Sequence, residues 1–393
     1  MRTRGAQTVK RVLFLFNHEA PHQVAHLAGT VDAFAAAYPQ VTTVVAHGGD
    51  RIRQSVDRHL SPQTSETIGW AELALPPWER RLAGILDRVL PASRLLRLRA
   101  NASLFAAADV IVSTERTCLR VKRYLPHDRT PFFVRMPHGA GDRNITYHPD
   151  YQRFDLVLAS GGKTRDELVR RGVDPARIRI VGYPKFDQID ASAKPALFGN
   201  DRPVFVYNPH FEPHLSSWYD HGPALLRWFA SEAGRRYNLV FAPHVMLFRK
   251  RLHISPEYKV ARLRPNIPEE ARTSENILID TDGPRLFDMS YMLGADAYIG
   301  DVSSQLYEFL IRPRAVFLLD GGNLAAGDGG PLFKQAGPVF PSVPDLAEAI
   351  PRWKQIGHAY QDAQGAMFDH TFSREERSAA ARAADAIADL VFR

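Results

Sequence analysis

The sequence predicts an α/β protein built on two parallel sheets. Short apolar segments, such as 12–16 and 297–300, alternate with longer segments of helical pattern along the whole chain. These segments lack the polar–apolar alternation of half-exposed strands, so we expect them to be buried on both faces and joined by helices in βαβ units. A length of 393 residues is too great for one ordinary core, which indicates two domains.

The first half of the chain reads as six strands and four helices. The predicted strands lie at 11–16, 41–46, 109–113, 131–135, 155–159 and 178–181. The predicted helices lie at 22–37, 95–107, 114–124 and 163–171.

The second half repeats this order. Its predicted strands lie at 203–207, 238–242, 277–280, 297–300 and 315–319. Its predicted helices lie at 222–235, 284–293, 303–311 and 344–355. A last helix is expected at 373–392, with Ser373 as its cap and alanines along it. We expect this helix to pack back on the first domain.

The domain boundary is expected within 187–202, where alanine, serine, proline and glycine residues form a linker. This gives an N-terminal Rossmann-like domain at 1–190, a C-terminal one at 200–372 and a terminal helix at 373–393. Two such domains facing an interdomain cleft form the GT-B architecture. Ligands of these sheets bind beyond the carboxyl ends of the strands.

Composition excludes several classes of protein. The net charge of +7 favours polyanionic partners, but no zinc-finger spacing, RNP motif or lysine run is present, so we expect no nucleic-acid binding. The single cysteine, Cys118, excludes an internal disulfide and favours a reducing compartment. The apolar run 12–16 is too short for a signal-peptide core, and no segment approaches the roughly 20 residues of a membrane span. We therefore expect a cytoplasmic protein.

Two histidines follow predicted strands in equivalent places. His138, between Pro137 and Gly139, comes after the strand 131–135, and His244, after Pro243, follows the strand that ends near 241. Neutral imidazole can accept a proton from an attacking hydroxyl near pH 7. The alternatives are a structural turn for His138 and a capping or surface role for His244.

A stiff polar loop follows the strand 203–207. It contains Asn208, His210, Glu212 and His214, which offer several hydrogen-bonding groups. Pro213 prevents the two histidines from sharing a helical face, so this is not a zincin motif, and we expect no metal.

The segment 294–309 combines a buried strand, a polar turn and a helix start. Asp301, Ser303 and Ser304 are residue types that favour a helix N-terminus, whose backbone N–H groups bind phosphate. The alternative for the serines is plain N-capping. Glu308 lies one turn beyond Ser304 and either binds ribose hydroxyls or is a solvated charge. Upstream, Asp288 is a candidate for a ribose or an acceptor hydroxyl.

Asp282, near Asp288, could bind the same hydroxyls, but we prefer helix capping for it.

The segment 78–99 places arginines among leucine clusters around Pro91. Two short basic amphipathic helices would suit an anionic membrane surface, on the inner face of the plasma membrane. The alternative is a pair of ordinary packed helices with their arginines in water.

The order of these motifs resembles the CDP-glycerol glycerophosphotransferase family, the teichoic-acid-type polymerases and primases with GT-B folds. The resemblance rests on the His138-Gly139 loop, the proline-containing loop after Asn208, the Pro243-His244 pair and the segment 288–309. It is most specific over 288–309, looser from about 137 to 320, and weak in the first 130 residues.

The resemblance implies that an acceptor hydroxyl attacks the β-phosphorus of CDP-glycerol and that CMP leaves. It implies His138 as the general base, His244 at the pyrophosphate, and no cofactor or metal. The acceptor is then a cell-surface glycan or a lipid-linked precursor. The donor-binding residues expected on this basis are Ser303, Ser304, Asp301, Glu308, Asp288, Asn208 and His210. The acceptor-side residues are Gly139, Asp142 and Arg143.

The sequence departs from the family pattern at several positions. Ala242 stands where arginine often precedes the Pro-His pair, and Val302 replaces a common tyrosine. The transferred group therefore has two alternatives: a polyol phosphate on CDP, or a nucleotide sugar used by a GT-B glycosyltransferase or epimerase. A third interpretation is a non-catalytic protein that binds polyanions or membranes.

Overall fold

A computed structural model describes residues 9–18, 21–87, 92–126, 130–141, 147–255, 257–320 and 332–393. The chain divides into two compact units, each with its own parallel sheet. Unit 1 comprises Met1–Gly139, Asn144–Gln188 and His370–Arg393, and unit 2 comprises Ala140–Arg143 and Ile189–Asp369. The predicted α/β class with two parallel sheets is confirmed.

The sheet of unit 1 has seven parallel strands. They are β1 (Arg11–Phe16), β2 (Thr42–His47), β3 (Gly69–Glu72), β4 (Val110–Ser113), β5 (Phe132–Arg135), β6 (Leu156–Ala159) and β7 (Ile178–Ile180). Their order in the sheet is β3-β2-β1-β4-β5-β6-β7. The first six follow the doubly wound Rossmann order, with the topological switch between β1 and β4. The sequence analysis missed β3, an edge strand in which none of the four residues is buried.

Helices cover both faces of this sheet. They are α1 (Ala28–Ala37), α2 (Asp50–Asp57), α3 (Pro62–Thr67), α4 (Pro77–Leu86), α5 (Ala92–Ala100), α6 (Ala102–Ala106) and α7 (Gly162–Arg170). Along β1, Phe14 and Phe16 join the core under α1, whereas Leu13 and Leu15 join the core on the opposite face. This alternation explains why the strand is apolar throughout. The helix predicted at 114–124 is a 3₁₀ helix, Arg116–Arg123.

The last helix of the chain packs on unit 1, against α1. It spans Ala379–Val391, and Ser378 caps it by accepting a hydrogen bond from the Ala381 N–H. The prediction that Ser373 is the cap is wrong. Ser373 lies outside the helix, and its N–H donates to the Ser160 carbonyl at 2.9 Å.

The sheet of unit 2 has six parallel strands, and a separate antiparallel hairpin follows its second strand. The strands are β8 (Val204–Asn208), β9 (Asn238–Phe241), β10 (Leu252–Ser255), β11 (Val260–Leu263), β12 (Ile277–Ile279), β13 (Ala297–Gly300), β14 (Ala315–Leu319) and β15 (Val339–Phe340). The parallel order is β12-β9-β8-β13-β14-β15, and β10 pairs with β11. Without the hairpin this is again the Rossmann order, with its switch between β8 and β13. The hairpin and β15 were not predicted.

The helices of unit 2 are α8 (Gly222–Ala230), α9 (Glu269–Arg272), α10 (Ser290–Gly294), α11 (Ser304–Phe309), α12 (Val343–Ala349) and α13 (Trp353–Thr371); the terminal helix of unit 1, Ala379–Val391, is α14. The helices predicted at 222–235, 284–293 and 303–311 are shorter in the structure, the one predicted at 344–355 is divided between two helices, and the short helix at 269–272 was not predicted. The helix predicted at 284–293 is interrupted because Met289 has a φ of 68°, in the left-handed region. The boundary between the units falls at His370, inside α13. In the residues that the structure describes, no helix has the length and apolarity of a membrane span.

Candidate functional site

In unit 1, the candidate base lies on a loop at the carboxyl end of β5. Gly139, which follows His138, has a φ of 98°, a conformation that favours glycine. The His138 Nδ1 lies 3.0 Å from the carbonyl oxygen of Thr114, just beyond β4. A carbonyl only accepts hydrogen bonds, so Nδ1 carries the hydrogen. The neutral ring therefore keeps its lone pair on Nε2, which is the nitrogen able to take a proton.

His138 is held in this neutral form. The surrounding protein and the positive charge of Arg135 lower its pKa from 6.5 to about 4, against the hydrogen bond to Thr114. The ring itself is exposed, so water offsets part of the desolvation, and we expect an apparent pKa between these two values. At either limit the neutral form of His138 predominates at pH 7.

The switch point of unit 1 gathers charged and polar residues that the sequence analysis did not single out. His18 follows β1, and Glu115 follows β4. Burial works to raise the pKa of Glu115, but the positive charges of Arg94 and His18 outweigh it and hold the pKa below its ordinary range. Glu115 forms an ion pair with Arg94 and accepts from the Thr117 hydroxyl at 3.1 Å. A polar residue directly after an apolar strand was the available signal for both His18 and Glu115.

In unit 2, His244 follows β9 and has the opposite tautomer. The backbone N–H of Met246 donates to its Nδ1 at 3.2 Å. Its neutral ring therefore carries the hydrogen on Nε2, which makes that nitrogen a hydrogen-bond donor. The neutral His138 ring thus presents an unprotonated Nε2, whereas the neutral His244 ring presents an Nε2–H group.

His210 is a second imidazole donor beside His244. It is buried, its Nδ1 accepts from the Glu212 N–H at 3.0 Å, and its ring centroid lies 5.3 Å from that of His244. Phe211 packs against both rings. His214 instead stacks on Tyr258, with centroids 4.1 Å apart. Within the described residues, no group of three or more His, Cys, Asp or Glu side chains is placed to hold a metal ion.

Asp301, just after β13, fixes the loop that carries His210. Its side chain is only 1% exposed, and its two oxygens accept the backbone N–H groups of His210 at 2.7 Å and Ser217 at 3.0 Å. Burial raises the pKa of Asp301 to about 7, although these hydrogen bonds oppose the shift. Asp301 was predicted as a donor-binding residue; the structure shows both of its oxygens engaged in holding the loop.

We expect Asp301→Ala to lower the free energy of unfolding by about 2–4 kcal/mol, because two buried N–H groups lose their acceptor. The pKa of Asp301 is higher in the folded than in the unfolded protein. The stability that Asp301 contributes through its protonation is therefore fully present below about pH 4 and is lost as the pH rises through about 7. The loss should therefore be larger at pH 6 than at pH 8.5 in urea denaturation. The exposed Asp282→Ala is the control, and an equal loss at both pH values would contradict the raised pKa.

The turn before α11 contains the predicted phosphate-binding serines. Ser303 stands at the N-cap position, but its side chain makes no capping hydrogen bond. Plain N-capping, the alternative interpretation, therefore does not describe Ser303. Glu308 is buried, so it is not the solvated helix charge of the other alternative. Gly300, with a φ of 157°, passes so close to β8 that a Cβ would lie 2.7 Å from the Asn208 carbonyl.

Asn208 and the acceptor-side loop complete the predicted set. The Asn208 side-chain amide donates to the Ala242 carbonyl and so joins the ends of β8 and β9. Gly141, which groups with unit 2, lies against the start of α11: a Cβ there would be 3.7 Å from the Ser304 nitrogen. Asp142 and Arg143 lie outside the described residues.

The aspartates before α10 have local roles. Asp288 is exposed, and its Oδ1 accepts from the Ser290 N–H at 2.8 Å, at the start of that helix. The capping role preferred for Asp282 is wrong. Asp280 fills it instead, because its carboxylate accepts the Gly283 N–H at 2.6 Å and the Tyr291 hydroxyl at 2.7 Å.

The segment 78–99 forms two helices, α4 and α5, but its arginines are not a solvated basic face. Arg94 pairs with Glu115, and Arg99 pairs with Glu79 at 2.8 Å. Arg80 and Arg81 of α4 are exposed. Large apolar side chains are exposed as well, and they recur every four residues on α4: Trp78 at 64%, Leu82 at 46% and Leu86 at 41% exposure.

No family model matches the chain, and no curated protein matches its sequence. Similar solved structures include the following three proteins. The wall teichoic acid polymerase TagF has a TM-score of 0.59 at 15% identity, over 99% of this chain and 91% of that one. A putative UDP-N-acetylglucosamine 2-epimerase from Listeria monocytogenes has a TM-score of 0.56 at 13% identity, over 98% and 96%. Anabaena HepE in complex with UDP and glucose has a TM-score of 0.53 at 11% identity, over 97% and 99%. These likenesses confirm the predicted GT-B fold.

Proposed function

We propose that this protein is a transferase that moves glycerol phosphate, or a related polyol phosphate, from a CDP-linked donor to a hydroxyl of a glycan or lipid-linked acceptor. The observation that carries the proposal is the orientation of His138, whose Nδ1 is bound to the Thr114 carbonyl so that Nε2 is the basic atom. The similarity in fold to a wall teichoic acid polymerase supports the same chemistry. No cofactor is required for it.

The reaction divides into a proton transfer and a phosphoryl transfer. The acceptor hydroxyl gives its proton to Nε2 of His138, and its oxygen forms a bond to the phosphorus that carries the polyol. The bond from that phosphorus to the bridging oxygen breaks, and CMP leaves with the electron pair. Positioned donors that stabilise the charge on the transferring group supply most of the catalysis.

Unit 2 supplies the donors in this proposal. The neutral tautomers of His244 and His210 both carry their hydrogen on Nε2. Ser303 makes no capping hydrogen bond to α11, so the N–H groups of that turn do not bind the serine side chain. We assign the diphosphate to this group, at the switch point between β8 and β13. Glu308 is assigned to the ribose, and Asp301 to holding the loop of His210.

A nucleotide sugar is the second candidate donor. The Listeria epimerase and the UDP-bound HepE have nearly the same similarity in fold as the teichoic acid polymerase. The same imidazole donors would then hold the diphosphate, but the acceptor would attack the anomeric carbon, and a nucleoside diphosphate would leave.

The leaving nucleotide distinguishes these candidates. Purified protein would be incubated with CDP-glycerol, CDP-ribitol or UDP-sugars, with and without a lipid-linked glycan acceptor, and the released nucleotides separated by chromatography. CMP from a CDP-polyol supports the proposal. Release of UDP alone would favour a glycosyltransferase, and no release from any donor would favour the non-catalytic interpretation.

We also propose that α4 meets an anionic membrane surface, the inner face of the plasma membrane. Its exposed stripe of Trp78, Leu82 and Leu86 lies on one helical face, and the exposed Arg81, three residues after Trp78, flanks that face. Apolar side chains inserted among headgroups, with arginines at the phosphates, are typical of interfacial helices. We therefore propose that the apolar face of α4, and not the arginines of α5, contacts the membrane.

Flotation with vesicles of anionic phospholipid tests this face. We expect replacement of Trp78, Leu82 and Leu86 by Ser to reduce the floated fraction at least fivefold, because the apolar area available for insertion is lost. The matched control replaces Leu252, Ile254 and Leu263, which are exposed on one face of the β10–β11 hairpin. If the control loses flotation and the α4 variant keeps it, the assignment to α4 is wrong.

A further inference from the structure

Arg135, the last residue of β5, has a buried guanidinium that forms no ion pair with any carboxylate in the described part of the chain. Its side chain is 5% exposed, and its one hydrogen bond joins NH1 to the Met136 carbonyl at a long 3.4 Å. Its Nε makes no hydrogen bond, and the guanidinium stands over the Tyr151 ring at 5.6 Å. A buried charge without a partner is costly, and proteins retain such groups mainly where a ligand neutralises them.

The neighbouring groups do not supply the missing negative charge. Among the residues that the structure describes, Glu115 is a buried carboxylate at this end of the sheet, and its oxygens are bound by Arg94 and Thr117. Cys118 is buried nearby, but burial raises the pKa of its thiol to about 12, so the thiol stays neutral.

Strand register brings more unsatisfied polar atoms to the same face as Arg135. Leu15 of β1 pairs with Ser113 of β4, which pairs with Arg135. Two residues further on, Asn17 therefore shares this face. The Asn17 Nδ2 donates to the Arg94 carbonyl at 2.8 Å, whereas the Asn17 Oδ1 is buried and makes no hydrogen bond. The Arg94 Nε is also buried and makes no hydrogen bond.

We propose that Arg135 binds a phosphate group of the acceptor, as a monoester or diester, and thereby places the acceptor hydroxyl at His138. The Arg94 Nε is the second donor to this phosphate, and the Asn17 Oδ1 accepts a hydroxyl of the same ligand. The identity of the ligand as the acceptor rests on the proposed function. Arg135 ends β5 and His138 lies three residues further on, and the charge of Arg135 acts on the His138 ring, so an anion bound to the guanidinium is close enough to influence the base.

This proximity provides a reporter that is separate from the donor site. The charge of Arg135 contributes to the low pKa of His138, while the Thr114 carbonyl and Glu115 act in the opposite direction and His18 acts with Arg135. A phosphate bound to Arg135 would offset its charge. The pKa of His138 should then rise toward its ordinary value.

The test uses the full chain with isotopically labelled histidine, inorganic phosphate and methyl phosphate as probes, and NMR of the His138 ring, assigned with a His138→Gln variant. We expect saturable shifts of the His138 resonances and a higher pKa in the presence of phosphate. Arg135→Met should weaken this binding at least tenfold. Arg123→Met removes an exposed arginine from the same unit and should leave the binding unchanged.

Equal phosphate binding in the wild type and in Arg135→Met would overturn the proposal. If Arg135→Met does not fold, Arg135→Lys is the second variant, because it keeps the positive charge but loses the planar guanidinium group. Unchanged phosphate binding and an unchanged pKa of His138 in Arg135→Lys would also overturn the proposal. The experiment needs neither donor nor turnover. Loss of phosphate binding in Arg135→Met therefore supports the anion site even if no CMP is released from any donor. If CMP is released but phosphate binding does not depend on Arg135, the anion site is refuted and the proposed function is not.

Discussion

His138→Gln is expected to lower kcat for transfer from the CDP-linked donor by about 10²–10⁴-fold, the usual contribution of a general base. The glutamine amide can still donate to the Thr114 carbonyl, as Nδ1 does now, so the loop should keep its conformation. What the variant lacks is a basic nitrogen. CMP release at saturating donor measures the effect, and circular dichroism checks the fold.

The matched control is His358→Gln, an exposed histidine in α13, which should retain full activity. The pH profile adds a second criterion. Because the pKa of His138 is lowered toward about 4, the base stays neutral well below pH 6.5, and kcat/KM should fall only on the acid side of that value. An acid limb at or above pH 6.5, or CMP release that survives His138→Gln, would contradict the base assignment.

The histidines could be found from the sequence because each follows an apolar strand within a few residues. The strands themselves were found because they are buried on both faces, as in β13, where all four residues are buried. The edge strand β3 and the exposed hairpin β10–β11 lack that signal. Local patterns in the sequence therefore predicted the buried central strands of both sheets. They also predicted the carboxyl ends of those strands, where the site residues lie.

The roles of several site residues depend on partners far away in the sequence. Asp301 receives its two hydrogen bonds from residues 91 and 84 positions earlier. In the sequence, Arg135 is only the end of an apolar strand, whereas the proposed anion site depends on which side chains the fold places around its guanidinium. The prediction of a helix cap at Ser373 was wrong for a similar reason. Serine is a suitable residue type for a cap, but the Ser373 N–H is bound to the Ser160 carbonyl, which is distant in the sequence. Such long-range pairings are fixed by the fold, and no window of sequence contains them.

His244→Asn should separate the two histidines by role. The Oδ1 of asparagine can accept the Met246 N–H in place of Nδ1, so the turn is kept, but no group replaces the Nε2 donor. We expect kcat to fall about 10²–10³-fold, the effect of removing one preorganised donor to a developing anion. His214→Asn is the control, since His214 stacks on Tyr258 and should affect kcat little.

The shape of the pH profile decides between donor and base. A lost donor lowers the rate by the same factor at every pH, so His244→Asn should leave the acid limb where it is in the wild type. His138→Gln should remove that limb. If instead His244→Asn removes it, the two roles are exchanged. When both groups act in one transition state, the double variant should lose less than the product of the two single effects, because neither histidine can stabilise a step that the other no longer permits.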